Sequence, residues 1–88
     1  MTLKIQRSSD GESSVFSLSG RFEVKHVPEL QKLMDSETGS IILDLQELEL
    51  ADRESIEFLT RSEANGTGIK NCPEHIRDWI SKTKLSRN

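Results

Sequence analysis

Leu3 and Ile5 alternate with Lys4 and Gln6, the period-two pattern of a strand with one buried face. The turn-rich stretch "SSDGESS" follows, with Asp10-Gly11 at its centre. Phe16 and Leu18 then alternate with Val15, Ser17 and Ser19, and Gly20 closes this second strand. Two such runs around a glycine-containing loop predict a β-hairpin. From Val27 the spacing changes. Pro28 stands at the first position of a helix, where its missing N–H costs nothing, and Leu30, Leu33 and Met34 share one face. "SIILDL", Ser40 to Leu45, is nearly continuous in apolar residues, as expected of a central strand with helices packed beside it.

After "QELEL" a second helix starts at Asp52, with Ile56 and Leu59 inward and Phe58 at the edge of that face. Asn65-Gly66 is its stop signal. "TGIKN" predicts a short strand around Ile69, and a last helix from Pro73 places Ile76, Trp79 and Ile80 together. The order β-β-α-β-α-β-α predicts a two-layer α/β sandwich with a mixed four-stranded sheet. Right-handed crossovers stepping one way across the sheet put the helices mainly on one face. Parity assigns Leu3, Ile5, Phe16, Leu18, Ile41, Leu43, Leu45 and Ile69 to the helix side. Lys4, Gln6, Ser17, Asp44 and Lys70 take the other, together with Val15 and Ile42, which call for some cover there. The domain is expected over residues 1–81, with 82–88 ("KTKLSRN") as a flexible basic tail.

Composition then narrows the function. Eighty-eight residues hold one core, and a chain of this size buries only about 60–65% of its unfolded surface. Charged residues make up 31% and hydrophobic ones 33%, but the latter are periodic, which argues against disorder. A net charge of −3 gives no basic footprint for nucleic acid, and four aromatics are too few for a base-stacking platform. The single cysteine, Cys72, excludes an internal disulfide and a multi-cysteine zinc site. "MTLKIQRSS" has no apolar signal core and no apolar run reaches membrane-spanning length, so a cytoplasmic protein without membrane insertion is expected.

The densest local chemistry is Asp52-Arg53-Glu54-Ser55. Asp52 fits an N-cap, accepting from the amide of Glu54 or Ser55 and stabilising by about 1 kcal/mol. Glu54 in the first turn adds a charge–dipole contribution of roughly 0.3–1 kcal/mol. A nucleophilic Ser55 needs a base, and nothing in the sequence brings His26 or His75 to it. A phosphate cradle conflicts with two carboxylates at the helix start, and Asp52, Glu54 and Glu57 read as a solvated face before they read as metal ligands. Two placements suit Asp44 at the end of the central strand: bonding amides of the next loop, or exposure on the open sheet face. Cys72, before Pro73, reads as a small buried residue. No cofactor, metal or catalytic residue is expected.

In order, "FSLSGRFEVKHVPELQKLM", "IILDLQELELADRESIEFL" and "GIKNCPEHIRDWI" resemble the STAS family, the anti-sigma-factor antagonist domains also found at the C-terminus of sulfate transporters. The resemblance spans Leu3 to Ile80 and implies the STAS-like form of the sandwich. Phospho-regulated members begin the equivalent helix Asp-Ser-Ser-Gly, and a partner kinase phosphorylates a serine there. Here Asp52 is retained, Glu54 falls at the acceptor serine and Ser55 at the glycine, with Ser55 a weak substitute acceptor. A lone carboxylate carries about half the charge of a phosphoserine, so it imitates that state imperfectly. "GIKNCPEHIRDWI" further resembles small stand-alone members with a degenerate acceptor motif.

The resemblance implies a non-enzymatic interaction module of bacterial signalling and transcription regulation, without serine switching at the usual position. Its partner would be an anti-sigma or serine-kinase-like protein. The expected contact residues are Glu23, Asp44, Asp52, Arg53, Glu54, Ser55 and Phe58, with Arg53 the anchor because a guanidinium fork suits carboxylates. The alternative is an accessory subunit of a membrane transporter of the ABC lipid-transport type, with Phe58 buried in the contact. A small enzyme or metal protein is the third class.

Overall fold

The computed structural model describes residues 3–85. Five strands and three helices form an α/β sandwich. The hairpin is longer and tighter than its turn-rich sequence suggests, with β1 over Leu3–Asp10 and β2 over Ser13–Phe22. Asp10 faces Ser13, so the loop is Gly11-Glu12 alone. Gly11 has φ 66° while Glu12 stays at negative φ, the type II′ arrangement that matches strand twist. The flanking serines thus lie in the ladder, where cross-strand pairing outweighs their turn preference.

β3 (Ser40–Asp44) runs parallel to β2, and β5 (Gly68–Lys70) parallel to β3. The fifth strand corrects the expected count of four. "LELA", Leu48–Ala51, is β4, parallel to the last residues of β2. β3 and β4 therefore share one edge of β2 in succession, separated by a turn in which the Leu48 amide donates to the Leu45 carbonyl at 3.1 Å. The β2–β4 register shifts between Gly20 and Arg21: Gly20 faces Leu48, but Arg21 faces Leu50, which leaves Glu49 as the extra residue of a bulge.

A 3-10 turn (Val24–His26) leads into α1 (Val27–Asp35), in which Pro28 is the second residue. α2 covers Arg53–Ala64 and α3 Glu74–Leu85. The stop of α2 is a Schellman pair: Thr67 N–H donates to Ser62 O at 3.0 Å and Gly66 N–H to Glu63 O at 3.1 Å. Helical structure continues through residues 82–85, the first part of the expected basic tail; the rest, 86–88, lies outside the described residues. Lys82 pairs with Asp78 one turn earlier at 3.2 Å.

One hydrophobic cluster joins the layers, with Phe16, Leu18, Phe22, Leu43 and Leu45 from the sheet side and Leu30, Ile56, Leu59, Ile76 and Ile80 from the helices, all fully buried. Leu3, Ile5, Ile41 and Ile69 pack against it from partly buried positions, as parity predicts. Two apolar residues expected inward are half exposed: Leu33 on α1 and Trp79 on α3. On the opposite sheet face Val15 is buried and Ile42 half-buried; they are cross-strand partners and shield each other. Arg77 clamps α3 to α2 with both guanidinium nitrogens 3.1 Å from the Glu63 carboxylate oxygens. No helix among the described residues is long and apolar enough to cross a membrane.

Candidate functional site

The start of α2 is built around Asp52. Its backbone is extended (φ −83°, ψ 176°), its N–H donates to Phe22 O at 3.1 Å, and its Oδ1 accepts from Ser55 N–H at 2.9 Å. The expected N-cap is therefore present. The sequence did not announce its second bond: Oδ2 accepts from Val24 N–H at 2.9 Å. Asp52 thus ties the first turn of α2 to the connection between β2 and α1. Burial pushes this carboxyl up, but the amides of Ser55 and Val24, the Ser55 side chain and nearby His26 together hold it below its ordinary range.

The residues after Asp52 divide into surface and core. Arg53 is extended into solvent, its side chain 85% exposed, with Glu57 3.5 Å away one turn on. Glu54 is also exposed. Ser55, by contrast, is fully buried, and its Oγ has no hydrogen-bond partner despite lying close enough to Asp52 to influence that carboxyl. A kinase cannot reach this hydroxyl in the folded chain, which corrects its reading as a substitute acceptor and as a contact residue. Phe58 needs the same correction. It is core, 3% exposed, and meets Phe22 edge-on with ring centroids 6.0 Å apart.

Asp44 settles on the first of its two placements. Oδ1 accepts from Gln46 N–H at 3.0 Å and from Asn71 Nδ2 at 3.3 Å, so it links the loops that follow β3 and β5. That makes it a loop-bracing residue, and it is not among those lining the groove beside Asp52. Both histidines serve the backbone: His26 Nδ1 accepts from Glu23 N–H at 3.0 Å, and His75 Nε2 meets Glu49 O at 3.0 Å. Cys72 is half-buried, and burial pushes its thiol up more than Arg77 pulls it down. No three His, Cys, Asp or Glu side chains gather as a metal-binding group among the described residues.

Beside the Asp52 clamp lies an open groove of about 230 Å³. It is lined by the buried Phe22 and Ala51, by the exposed Leu50 and Trp79, and by the polar Arg21, Glu23 and Asp52. Leu50 is 51% exposed and Trp79 42%, unusual for side chains of this size. Val24, whose N–H binds Asp52, is 47% exposed. Of the expected contact residues, Glu23, Asp52, Arg53 and Glu54 thus lie in or beside one surface, whereas Leu50, Trp79 and Arg21 were missed. Leu50 falls in "QELEL", which no predicted element claimed, and Trp79 falls in the Ile76–Ile80 stripe expected inward. Gly20 inside a strand pattern was the available sign of a bulge that re-aims its neighbours.

The fold and this surface define a small α/β sandwich with an apolar groove at the strand ends, next to a doubly anchored helix start. No protein-family model matches the chain, and a search of curated proteins finds no match.

Proposed function

We propose that this chain is a non-enzymatic protein-interaction module of the STAS type, acting in the cytoplasm on a regulatory partner such as an anti-sigma or serine-kinase-like protein. The observation that carries the reading is the half-exposed pair Leu50 and Trp79 beside the capped start of α2. Exposed apolar side chains grouped in a polar margin mark contact surfaces. Arg53 and Glu54 extend that surface with charge, while Asp52 holds the helix start in place through two amides. The buried Ser55 and the carboxylate of Glu54 at the acceptor place favour a module without serine switching there.

Charge reversal at Arg53→Glu and Glu54→Lys tests the placement. Affinity for a partner recovered by crosslinking in cells, measured by calorimetry, is expected to fall at least about fivefold, since rim charges at a contact each contribute up to about 1 kcal/mol. Unchanged affinity would remove this surface from the contact. The exposed apolar pair also favours a second reading, an accessory subunit of a membrane transporter of the ABC lipid-transport type, because a permanent partner would keep Leu50 and Trp79 covered. Co-purification with a detergent-solubilised membrane complex, lost on Leu50→Ser, selects that reading; a soluble kinase-like partner selects the first.

A further inference from the structure

Arg21 and Leu50 are direct cross-strand neighbours in the β2–β4 pair, immediately after the bulge. Their shared position sets Arg21 beside an exposed leucine, and both line the groove together with Trp79. The charges lining the groove are not equivalent. Both Asp52 oxygens are filled by amides at 2.9 Å, and the Glu23 carboxylate has the Lys25 ammonium at 3.7 Å. The Arg21 side chain is exposed and, among the described residues, makes no hydrogen bond or ion pair. A groove of about 230 Å³ is smaller than the roughly 300–1,000 Å³ of small-molecule pockets, and it suits one inserted side chain.

We infer that the groove docks a segment of a partner protein in which one large apolar side chain neighbours a single carboxylate. The apolar side chain enters between Leu50 and Trp79 over Phe22 and Ala51, and the carboxylate meets the Arg21 fork. One carboxylate suits this surface better than a run of them. Glu49, next to Leu50, and Glu54, two residues past Asp52, are exposed, and the chain carries a net charge of −3. Those acids lie outside the groove and repel an acidic tract over a Debye length of roughly 8 Å, without competing for the Arg21 contact. This inference deepens the interaction-module reading and rests on it.

A peptide library lacking tryptophan, displayed on phage, is selected against the full chain and against Arg21→Glu. Capped synthetic winners are then titrated while Trp79 emission is followed. Trp79 is the only tryptophan and the chain has no tyrosine, so the signal reports the groove alone. Winners on the unmodified chain are expected to pair Leu or Phe with an adjacent Asp or Glu, and to shift Trp79 emission to the blue saturably. Peptide Asp→Asn and chain Arg21→Gln should each weaken binding about fivefold, and the two together no more than either alone. Leu50→Ser should weaken every winner.

Basic or uncharged winners, the same consensus from both selections, additive losses in that cycle, or no enrichment at all would overturn the inference. Arg21 is exposed, so its variants keep the fold, which circular dichroism verifies. A natural partner that loses affinity with Arg53→Glu and Glu54→Lys but not with Arg21→Gln or Leu50→Ser would discard this groove and leave the interaction module standing.

Discussion

Ser55 and Asp52 show how differently two polar residues of one turn can be used. Asp52 satisfies two amides at 2.9 Å each, one in its own helix and one in the turn before α1. Replacing it with alanine removes the cap and orphans Val24 N–H, for an expected loss of about 1–2 kcal/mol by urea denaturation. Asp52→Asn retains one acceptor oxygen and should recover part of that loss. Ser55 offers the opposite case: its hydroxyl is buried without a hydrogen-bond partner, a desolvation cost of order 1–3 kcal/mol offset only by its proximity to the Asp52 carboxylate. Ser55→Ala is therefore expected to leave stability unchanged or to raise it by up to about 1 kcal/mol. A clear loss would mean that the hydroxyl is bonded after all. Ser55→Asp, which forces a charge into the same place, should destabilise far more than any loss at Asp52.

At the scale of elements, the hairpin turn and the loop before β3 are joined by a close backbone approach. A Cβ on Gly39 would stand 2.7 Å from the Glu12 carbonyl oxygen, and backbone on both sides leaves little freedom to yield. Gly39→Ala should cost about 1–3 kcal/mol, read as a lower urea midpoint with an unchanged slope. A midpoint equal to that of the unmodified chain would show that the loop relaxes away from the turn. Neither residue's part in this contact was legible in the sequence, because it joins two loops through backbone atoms. What alternation and helical spacing did carry was the identity of nearly every core side chain in β2, β3, α2 and α3. The cap at Asp52 and the stop at Asn65-Gly66 were legible for the same reason: local bonds use local residues. The failures cluster where geometry departs from a fixed period. The Glu49 bulge puts Leu48 and Ala51 in the core and turns Leu50 out, which a period of two cannot express. Leu50 lines the groove, so its part in the candidate site was hidden by the irregularity that turns it outward.

Across the whole molecule, one polar cluster spans elements far apart in sequence. Arg7 on β1 binds the Glu37 carboxylate through Nε and one terminal nitrogen, both at 2.9 Å, and Ser14 Oγ on β2 donates to the same carboxylate at 2.6 Å. The hairpin is thereby fastened to the segment between α1 and β3. The Arg7 guanidinium first, then the Ser14 hydroxyl, hold the Glu37 carboxyl down from its usual 4.5 to about 2. A carboxyl lowered in the folded state is protonated first in the unfolded one. Its stabilising contribution is therefore complete above the usual 4.5 and lost as pH falls toward about 2. Asp52, also lowered, adds a loss of the same sign in acid. Thermal midpoints of the unmodified chain and Glu37→Gln should accordingly differ most above about pH 5 and converge as the pH approaches 2. Half of the Arg7 side chain faces solvent, so added salt should narrow the gap near neutral pH and, by the same linkage, raise the pH at which it closes. A gap that stays constant from neutral to acid would mean that Glu37 acts through packing rather than charge. In that case the hairpin is held mainly by β1–β2 pairing and the Phe16–Leu18 core, and Arg7→Met should be as stable as the unmodified chain at every pH.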